Sequence, residues 1–305
     1  MIHITEAQSG AAISHELAFE AVRRALIAAS SSEAATFPVV LGNASDPQNK
    51  FTVKSAADSR LTGLKVGSYF PTNDAAKLPR HDSIILLFDQ AKGRIGAIVE
   101  AGKLNAYRTA AADAVATDAL ARSDAQVLVL FGTGHQAAYE AQAIARIRPL
   151  TKIMVVGRNV DRTSAFVAQL SEKGLPAEGA QSENACRAAD IIVTATTATK
   201  PLFQADWVRP GTHISSMGSD AIGKQELPPQ LFAQSRLFCD LPEQSARIGE
   251  FQHVVAGISL TAIGAVLSDT AEGRCTAEEI TIFDSSGIAL QDLYVAESII
   301  AATSF

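Results

Sequence analysis

The chain has 305 residues, 47% of them hydrophobic and 19% charged, with a formal net charge of −6. That length allows two domains and a large core, and the acidic balance disfavours nonspecific binding to nucleic acid or to an anionic membrane surface. Cys186, Cys239 and Cys275 stand far apart, in no metal-ligand or disulfide spacing. With no basic-then-apolar leader and no run of about 18 apolar residues, reduced thiols in a cytoplasmic protein without a membrane span are expected.

In chain order, residues 2–4 predict a short strand, Thr5 an ST-type turn, and residues 15–29 an amphipathic helix with Leu17, Val22, Leu26 and Ile27 on its apolar side. After a polar break at 30–35, strand patterns follow at 37–41, 50–56, 63–70, 84–88 and 95–100. Several strands without long helices between them predict a mixed or mostly antiparallel sheet. Lys54 and Lys65 fall inside two of these patterns. Facing solvent, they are solubilising residues. In paired strands, they would present two ammonium donors to one small carboxylate. Residues 104–120 predict a helix rich in small residues, with Arg108 and Thr109 near its start. That pair is either a surface arginine with a capping threonine or two donors aimed at an anion.

The run Val127 to Phe131 is continuously apolar, as in a strand buried on both faces of a parallel sheet. Gly132-Thr133-Gly134-His135-Gln136-Ala137 follows at once and matches G-x-G-x-x-G/A between a strand and a helix. Small residues there let backbone N–H groups approach a pyrophosphate at a helix N-terminus. A second apolar strand at 153–156 completes a βαβ unit, so a dinucleotide is the expected cofactor. An NAD-preferring domain would carry Asp or Glu at the end of that strand. Here Gly157, Arg158 and Asn159 stand there, and a guanidinium suits a 2′-phosphate. NADPH is therefore expected ahead of NADH.

A helix at 161–173 ends at Gly174, and strands are predicted at 190–197, 213–217, 236–240 and 280–283 before a closing helix at 290–302. Ligands of doubly wound sheets lie beyond the carboxyl ends of the strands. Thr194, Thr196, Met217 and Gly218 therefore join Arg158 and Asn159 in the expected cofactor-side set. Asp220 stands after one such strand end, either as a substrate-facing carboxylate or as a turn residue before Gly223, and Asp284 poses the same choice. His81 reads as a loop residue, His135 as a backbone contact to pyrophosphate, and Trp207 as packing.

Taken together, the segments GLKVGSYFPTN (63–73), LLFD (86–89), the Arg-Thr-Ala-Ala run at 108–111, GTGHQA (132–137), SMGSDAIGKQEL (216–227) and ITIFDSSGIALQD (280–292) resemble the ornithine cyclodeaminase/mu-crystallin family over essentially the full length. The resemblance implies an α/β fold with a doubly wound Rossmann domain at 114–289. It also implies a substrate-binding and dimerisation domain built from 1–113 with 290–305, and hence a homodimer. It implies that Lys65 and Arg108 hold a substrate carboxylate with Lys54 on the same side, that Asp220 handles the substrate nitrogen, and that Thr109 assists in binding cofactor phosphate. In the family's cyclodeaminases an arginine follows a proline in the segment corresponding to 36–41; here Val39 and Val40 follow Pro38. NKFTVKSAAD, LKVGSYFP and the 78–81 segment are most similar to bacterial Δ1-pyrroline-2-carboxylate reductases, which reduce cyclic ketimines to proline or pipecolate. A cyclodeaminase that recycles bound NAD and a cofactor-bound protein without enzymatic function are the alternatives. Neither nucleic acid, membrane nor metal is expected as a partner.

Overall fold

A computed structural model describes residues 1–255 and 257–303. Its elements in chain order are β1 (Ile2–Ile4), α1 (Glu6–Ala12), α2 (His15–Ala29), β2 (Ala35–Thr36), β3 (Val40–Asn43), β4 (Lys50–Ala57), β5 (Thr62–Tyr69), β6 (His81–Asp89), β7 (Arg94–Glu100) and α3 (Leu104–Leu120). Then come β8 (Val127–Phe131), α4 (His135–Ile147), β9 (Lys152–Val156), α5 (Val160–Glu172), β10 (Ala177–Gly179), α6 (Ser182–Ala188), β11 (Ile191–Thr194) and β12 (His213–Ser216). The last are β13 (Ser235–Cys239), α7 (Pro242–Ile248), β14 (Thr261–Ala262), α8 (Ile263–Leu267), β15 (Ile280–Asp284) and α9 (Ala289–Thr303). The chain divides into two compact units, residues 1–108 with the segment from Ile288 onward, and residues 109–287. The division falls within α3.

The first unit is built on a mixed sheet of seven strands in the order β1-β7-β6-β5-β4-β2, with β3 also pairing β4. Only β1, parallel to β7, departs from antiparallel pairing. Side chains alternate between the faces of a strand, and here Ala56, Lys65, Ile85 and Val99 turn to the buried face. Helix α9 packs on β4, β5 and β6, and α2 packs on α9. Gly63 is closely packed: an added Cβ would lie 2.2 Å from the Leu86 carbonyl oxygen of β6 and 2.9 Å from Leu293 of α9.

Two local expectations are corrected in this unit. Thr5 begins no ST turn. It is the N-cap of α1, with Gln8 N–H donating to Thr5 Oγ1 and Thr5 N–H donating to the Gln8 side chain, a reciprocal capping box. No apolar period announced that seven-residue helix. The strand expected at 37–41 is split into β2 and β3 around Pro38, which has no N–H to give to a ladder.

The second unit is an all-parallel sheet of eight strands in the order β10-β9-β8-β11-β12-β15-β13-β14. β8, β9 and β10 are laid down in one direction and β11 and β12 in the other, so the strand order reverses between β8 and β11. That reversal opens the crevice in which doubly wound sheets take their ligands. Every residue of β11, β12 and β15 is buried; β11 accordingly reads as a near-continuous apolar run, while β12 and β15 bury polar side chains as well. The short β10 and α6 were not expected, because three and seven residues are too few for a period to register.

The Gly63 contact makes a direct prediction. Gly63→Ala should lower stability by about 1–3 kcal/mol through overpacking against the β6 backbone and Leu293 of α9, read as a lower midpoint in urea unfolding with an unchanged slope.

Candidate active site

The glycine turn after β8 has the form a dinucleotide needs. Gly132 has φ +125°, a conformation that L side chains rarely adopt, and an added Cβ would stand 2.6 Å from the Ala195 carbonyl oxygen. Gly134 is the N-cap of the 13-residue α4, with no side-chain cap and nothing within 4 Å of where a Cβ would be. The first N–H groups of α4 are therefore offered at an open, small-residue turn, which suits an anionic pyrophosphate. His135 is exposed and its ring lies against Tyr139 at 5.0 Å, while Gln136 donates to Glu140 at 2.7 Å and Ala137 is buried in the helix packing.

At the end of β9 an acid is excluded by packing. A Cβ on Gly157 would meet Thr163 Oγ1 at 2.3 Å and Thr133 at 2.9 Å. Arg158 beyond it is exposed, and Asn159 caps α5 by accepting from Arg162 N–H at 2.9 Å.

Thr194, Thr196, Ser216 and Gly218 are gathered by one carboxylate that the sequence did not bring forward. Glu226 Oε1 accepts from Thr196 N–H and Thr196 Oγ1, both at 2.7 Å, and its Oε2 accepts from Thr194 Oγ1 at 2.8 Å, Gly218 N–H at 2.9 Å and Ser216 Oγ at 3.2 Å. Burial raises the Glu226 pKa, and the threonine and backbone donors oppose that rise. The ends of β11 and β12 are thereby tied together beside the strand-order reversal. A Cβ on Gly218 would lie 2.6 Å from Glu226 Oε1, so the glycine makes room for the carboxylate. Met217 is buried next to it. Asp220 is exposed and pairs with Lys224. Asp284 is wholly buried, where it accepts from Ser245 Oγ and Glu250 N–H; it is a structural acid. Thr109 opens this unit, half-buried on α3. Trp207 packs against the core, and His81 is an exposed residue whose ring lies 4.7 Å from Tyr69.

The other unit holds the cations. Lys65 and Arg108 are 6% and 7% exposed, and Asp292 on the first turn of α9 is 3% exposed. Lys65 Nζ donates to Asp292 Oδ1 at 3.0 Å and to Asn105 Oδ1 at 2.6 Å. Arg108 Nη2 donates to the same Asn105 oxygen at 2.8 Å, and its Nη1 donates to Gln291 Oε1 at 3.3 Å. Arg108 Nε stands 3.1 Å from Asp292 Oδ1, close enough for an ion pair but not aligned for a hydrogen bond. Asp292 Oδ2 and Gln291 Nε2 are also buried without a hydrogen-bond partner. Three unsatisfied polar atoms in one cluster are costly, and a polar ligand would relieve that cost.

Lys54 lies directly opposite Lys65 in the β4–β5 register, half-buried on the same face. Burial brings the Lys65 pKa down to about 7; Asp292 opposes the fall, while Arg108 and Lys54 reinforce it. Asp292 is pushed up by its burial, but Arg108 and Lys65 outweigh that, and its carboxyl titrates below its ordinary value. The structure thus brings Lys54, Lys65 and Arg108 together in the first unit. Sequence reasoning missed Asp292, Asn105 and Gln291. The available signal was an acid one turn into the apolar helix ALQDLYVA, since a buried carboxylate calls for a cation.

The pattern of the ornithine cyclodeaminase/mu-crystallin family matches residues 3–303. The chain belongs to that family. Among its relatives is the iminosuccinate reductase of Paracoccus denitrificans, 36% identical over 98% of this chain and 96% of that protein. The structure of that enzyme in complex with NAD+ superposes with a TM-score of 0.90 over 99% of this chain and 96% of the other. A Δ1-pyrroline-2-carboxylate reductase of Bacillus cereus is 34% identical over 77% of this chain and 75% of its own. An archaeal alanine dehydrogenase dimer with bound NAD gives a TM-score of 0.92 at 29% identity, over 99% and 95% of the two chains. The fold is thus that of NAD-binding oxidoreductases of this family. No group of three or more metal-binding side chains and no helix able to cross a membrane occurs among the described residues.

Removing the shared carboxylate should be severe. Asp292→Ala leaves two buried cations uncompensated and is expected to cost about 3–5 kcal/mol in chemical unfolding. Lys65 also predicts a pH signature. It is charged below about pH 7 and neutral above, so kcat/KM for a carboxylate substrate should fall as pH rises through that value. The sign for stability is opposite. The unfolded chain holds this proton up to the ordinary lysine range, so the contribution of Lys65 to folding grows between about pH 7 and 10.5.

Proposed function

We propose that this protein reduces the C=N bond of an α-imino carboxylate with a nicotinamide dinucleotide. Δ1-pyrroline-2-carboxylate, giving L-proline, and its six-membered homologue, giving L-pipecolate, are the cyclic substrates of this reading. The observation that carries it is the buried Lys65–Arg108 pair, held by Asp292 and Asn105 with hydrogen-bonding atoms still unsatisfied. Two cations pre-positioned by one acid suit a substrate carboxylate, and Arg108 suits it in a fixed planar orientation. The bound dinucleotide would supply the hydride, held at Gly132–Ala137 with Thr109, Thr194, Thr196, Met217 and Gly218 on its side of the protein. The chain's own contribution is to orient the imine carbon by its carboxylate, an effect worth about 7–11 kcal/mol in well-aligned cases. Lys65, titrating near neutrality, can hold the proton that the imine nitrogen needs, and Asp220 is the carboxylate assigned to steady the resulting iminium.

The relative from Paracoccus is named for an acyclic imine with two carboxylates, and the same grip on the first carboxylate would serve it. Cyclodeamination fits less well, because Val39 and Val40 occupy the segment where an arginine was expected. A role without catalysis would leave the buried pair without a purpose. The solved relatives carry NAD, so the preference for NADPH rests on exposed Arg158 alone. Arg158→Ser should lower the NADPH-to-NADH ratio of kcat/KM.

We further assign a second copy of this chain to the outer face of the first unit's sheet. Val40, Val53, Val66 and Ile84 follow one another across four strands on the side away from α9, joined by Leu64 and Leu86. All six are half-buried or exposed. A contiguous apolar row across four strands suits an interface, and the archaeal relative is a dimer. Val66→Asp should convert a species of about twice 32.0 kDa to the single chain on light scattering.

The activity itself is tested by following NADPH or NADH oxidation with Δ1-pyrroline-2-carboxylate and with imines formed from 2-oxo acids and ammonia. Turnover that Arg108→Leu reduces by at least a hundredfold is expected. Absence of turnover with all of them would end this reading.

A further inference from the structure

We propose that Asp113 and Glu140 share one proton at neutral pH and act together as positioning residues for the dinucleotide turn, which they hold through Gln136. This assignment rests on the reading of Gly132–Ala137 as that turn and is independent of which imine is reduced.

Both acids are wholly buried, Asp113 on α3 and Glu140 one turn into α4. On each helix the acid and its donor stand four residues apart, which places them on one face. Thr117 Oγ1 donates to Asp113 Oδ1 at 3.0 Å, and Gln136 Nε2 donates to Glu140 Oε1 at 2.7 Å. The Asp113 carboxyl is also hydrogen-bonded to Ser215 on β12 and to the Glu140 carboxyl itself. A continuous line of hydrogen bonds therefore runs from α3 and β12 through both acids to Gln136, inside the turn that presents the N-terminus of α4. Every member of it lies in the second unit.

Ionised carboxylates only accept, so two carboxyl groups hydrogen-bond to one another only with a proton between them. Burial pushes Asp113 up to about 6 against the hydrogen bonds from Ser215, Glu140 and Thr117, and no cation is among the influences on it. Of the groups that face Asp113, Thr117 and Ser215 carry no charge. His213, whose Nε2 lies 3.2 Å from Ser215 Oγ, is pushed down to about 3 by burial, with Arg274 and Arg148 adding to the fall, and is neutral too. Two acids at one dry site do not both ionise readily. Glu140 steadies the charged form of Asp113, so above about pH 6 the pair carries a single negative charge, with the Glu140 hydroxyl donating to Asp113.

Packing alone does not call for an acid at 140. The rest of the buried side of α4 is Ala137, Ala138, Ala141, Ala143 and Ile144, and apolar side chains are often as stable at such positions as buried charges. What the pair adds is a fixed acceptor for Gln136. With its proton directed to Asp113, Glu140 keeps Oε1 turned to the Gln136 amide, and the first turn of α4 is pinned where its backbone N–H groups can meet a pyrophosphate. The pair also limits the charge near that anion to one unit. A bound pyrophosphate favours the uncharged pair, so NADH affinity should rise as the pH falls through about 6, with a proton taken up by Asp113.

The test follows dinucleotide binding to the full-length protein by nicotinamide fluorescence, with no imine present. Glu140→Leu should raise the Kd for NADH at about pH 7.5 by about tenfold or more. Glu140→Gln, whose amide N–H stands in for the shared proton, should recover most of that loss. In the unmodified protein the Kd should fall as the pH is lowered through about 6, and Asp113→Asn should flatten the step. Urea midpoints are read alongside; were Glu140→Leu not to fold, the pH profile of Asp113→Asn decides. An unchanged Kd in folded Glu140→Leu, a Glu140→Gln as weak as Glu140→Leu, or a pH step that survives in Asp113→Asn overturns the proposal. Failure of the unmodified protein to bind either NADH or NADPH overturns it together with the assignment of the turn. The expected binding pattern in a protein that reduces no imine would sustain it and end the C=N reduction reading alone.

Discussion

The first unit depends on one buried carboxylate. Asp292 stands on the first turn of α9, in contact with Lys65 and Arg108, and all three are almost wholly removed from water. Both cations need a nearby acid at that depth, because burying an isolated ammonium or guanidinium costs several kcal/mol. Burial already brings the lysine down to about pH 7 even with Asp292 beside it. The contact also explains a feature of the surrounding sequence. Asn105 is polar because one oxygen must accept from both cations. The arrangement is electrostatically tense, with more positive than negative charge and with donors and acceptors left unmatched. An anionic group would suit the donors Arg108 Nε and Gln291 Nε2, whereas Asp292 Oδ2 calls for a donor.

The second unit relies on a comparable device for a different purpose. Glu226 collects donors from the ends of β11 and β12, so a buried carboxylate joins apolar packing in holding the loops beyond these strands. A turn built from Gly132 and Gly134 then needs little else to present the N-terminus of α4. In both units a buried acid holds several of the residues assigned to ligand: Lys65 and Arg108 in the first, Thr194, Thr196 and Gly218 in the second.

Much of this was legible in the sequence because it is carried by local periodicity. The run at 127–131, the glycine turn and the run at 153–156 fall where β8, the turn and β9 stand, since a buried parallel strand must be apolar throughout. Lys65 and Arg108 were singled out from the family resemblance, and their convergence needed the register of β5 and the fold-back of α9. Asp292 was invisible for the same reason: it is 227 positions from Lys65 along the chain, and no local pattern links a helix near the C-terminus to a strand near the N-terminus. Glu226 escaped notice because a glutamate in a loop is ordinarily a solvated residue, and only its donors reveal its burial. The missing acid at Gly157 was read as an electrostatic choice of cofactor. The packing against Thr163 and Thr133 supplies a steric reason for the same absence, so the glycine alone does not choose between the two dinucleotides.

The central claim is that the Lys65–Arg108–Asp292 cluster exists to bind a carboxylate. The most direct measurement is a calorimetric titration of the cofactor-loaded protein with the amino-acid product of its fastest imine substrate, set against the corresponding 1-carboxamide. The two ligands share size and amine and differ only in the charge offered to the buried cations. The account predicts that the carboxamide binds at least a hundredfold more weakly, about 2.7 kcal/mol, which is the scale of a lost charge-assisted interaction. Equal affinity for acid and amide would contradict it.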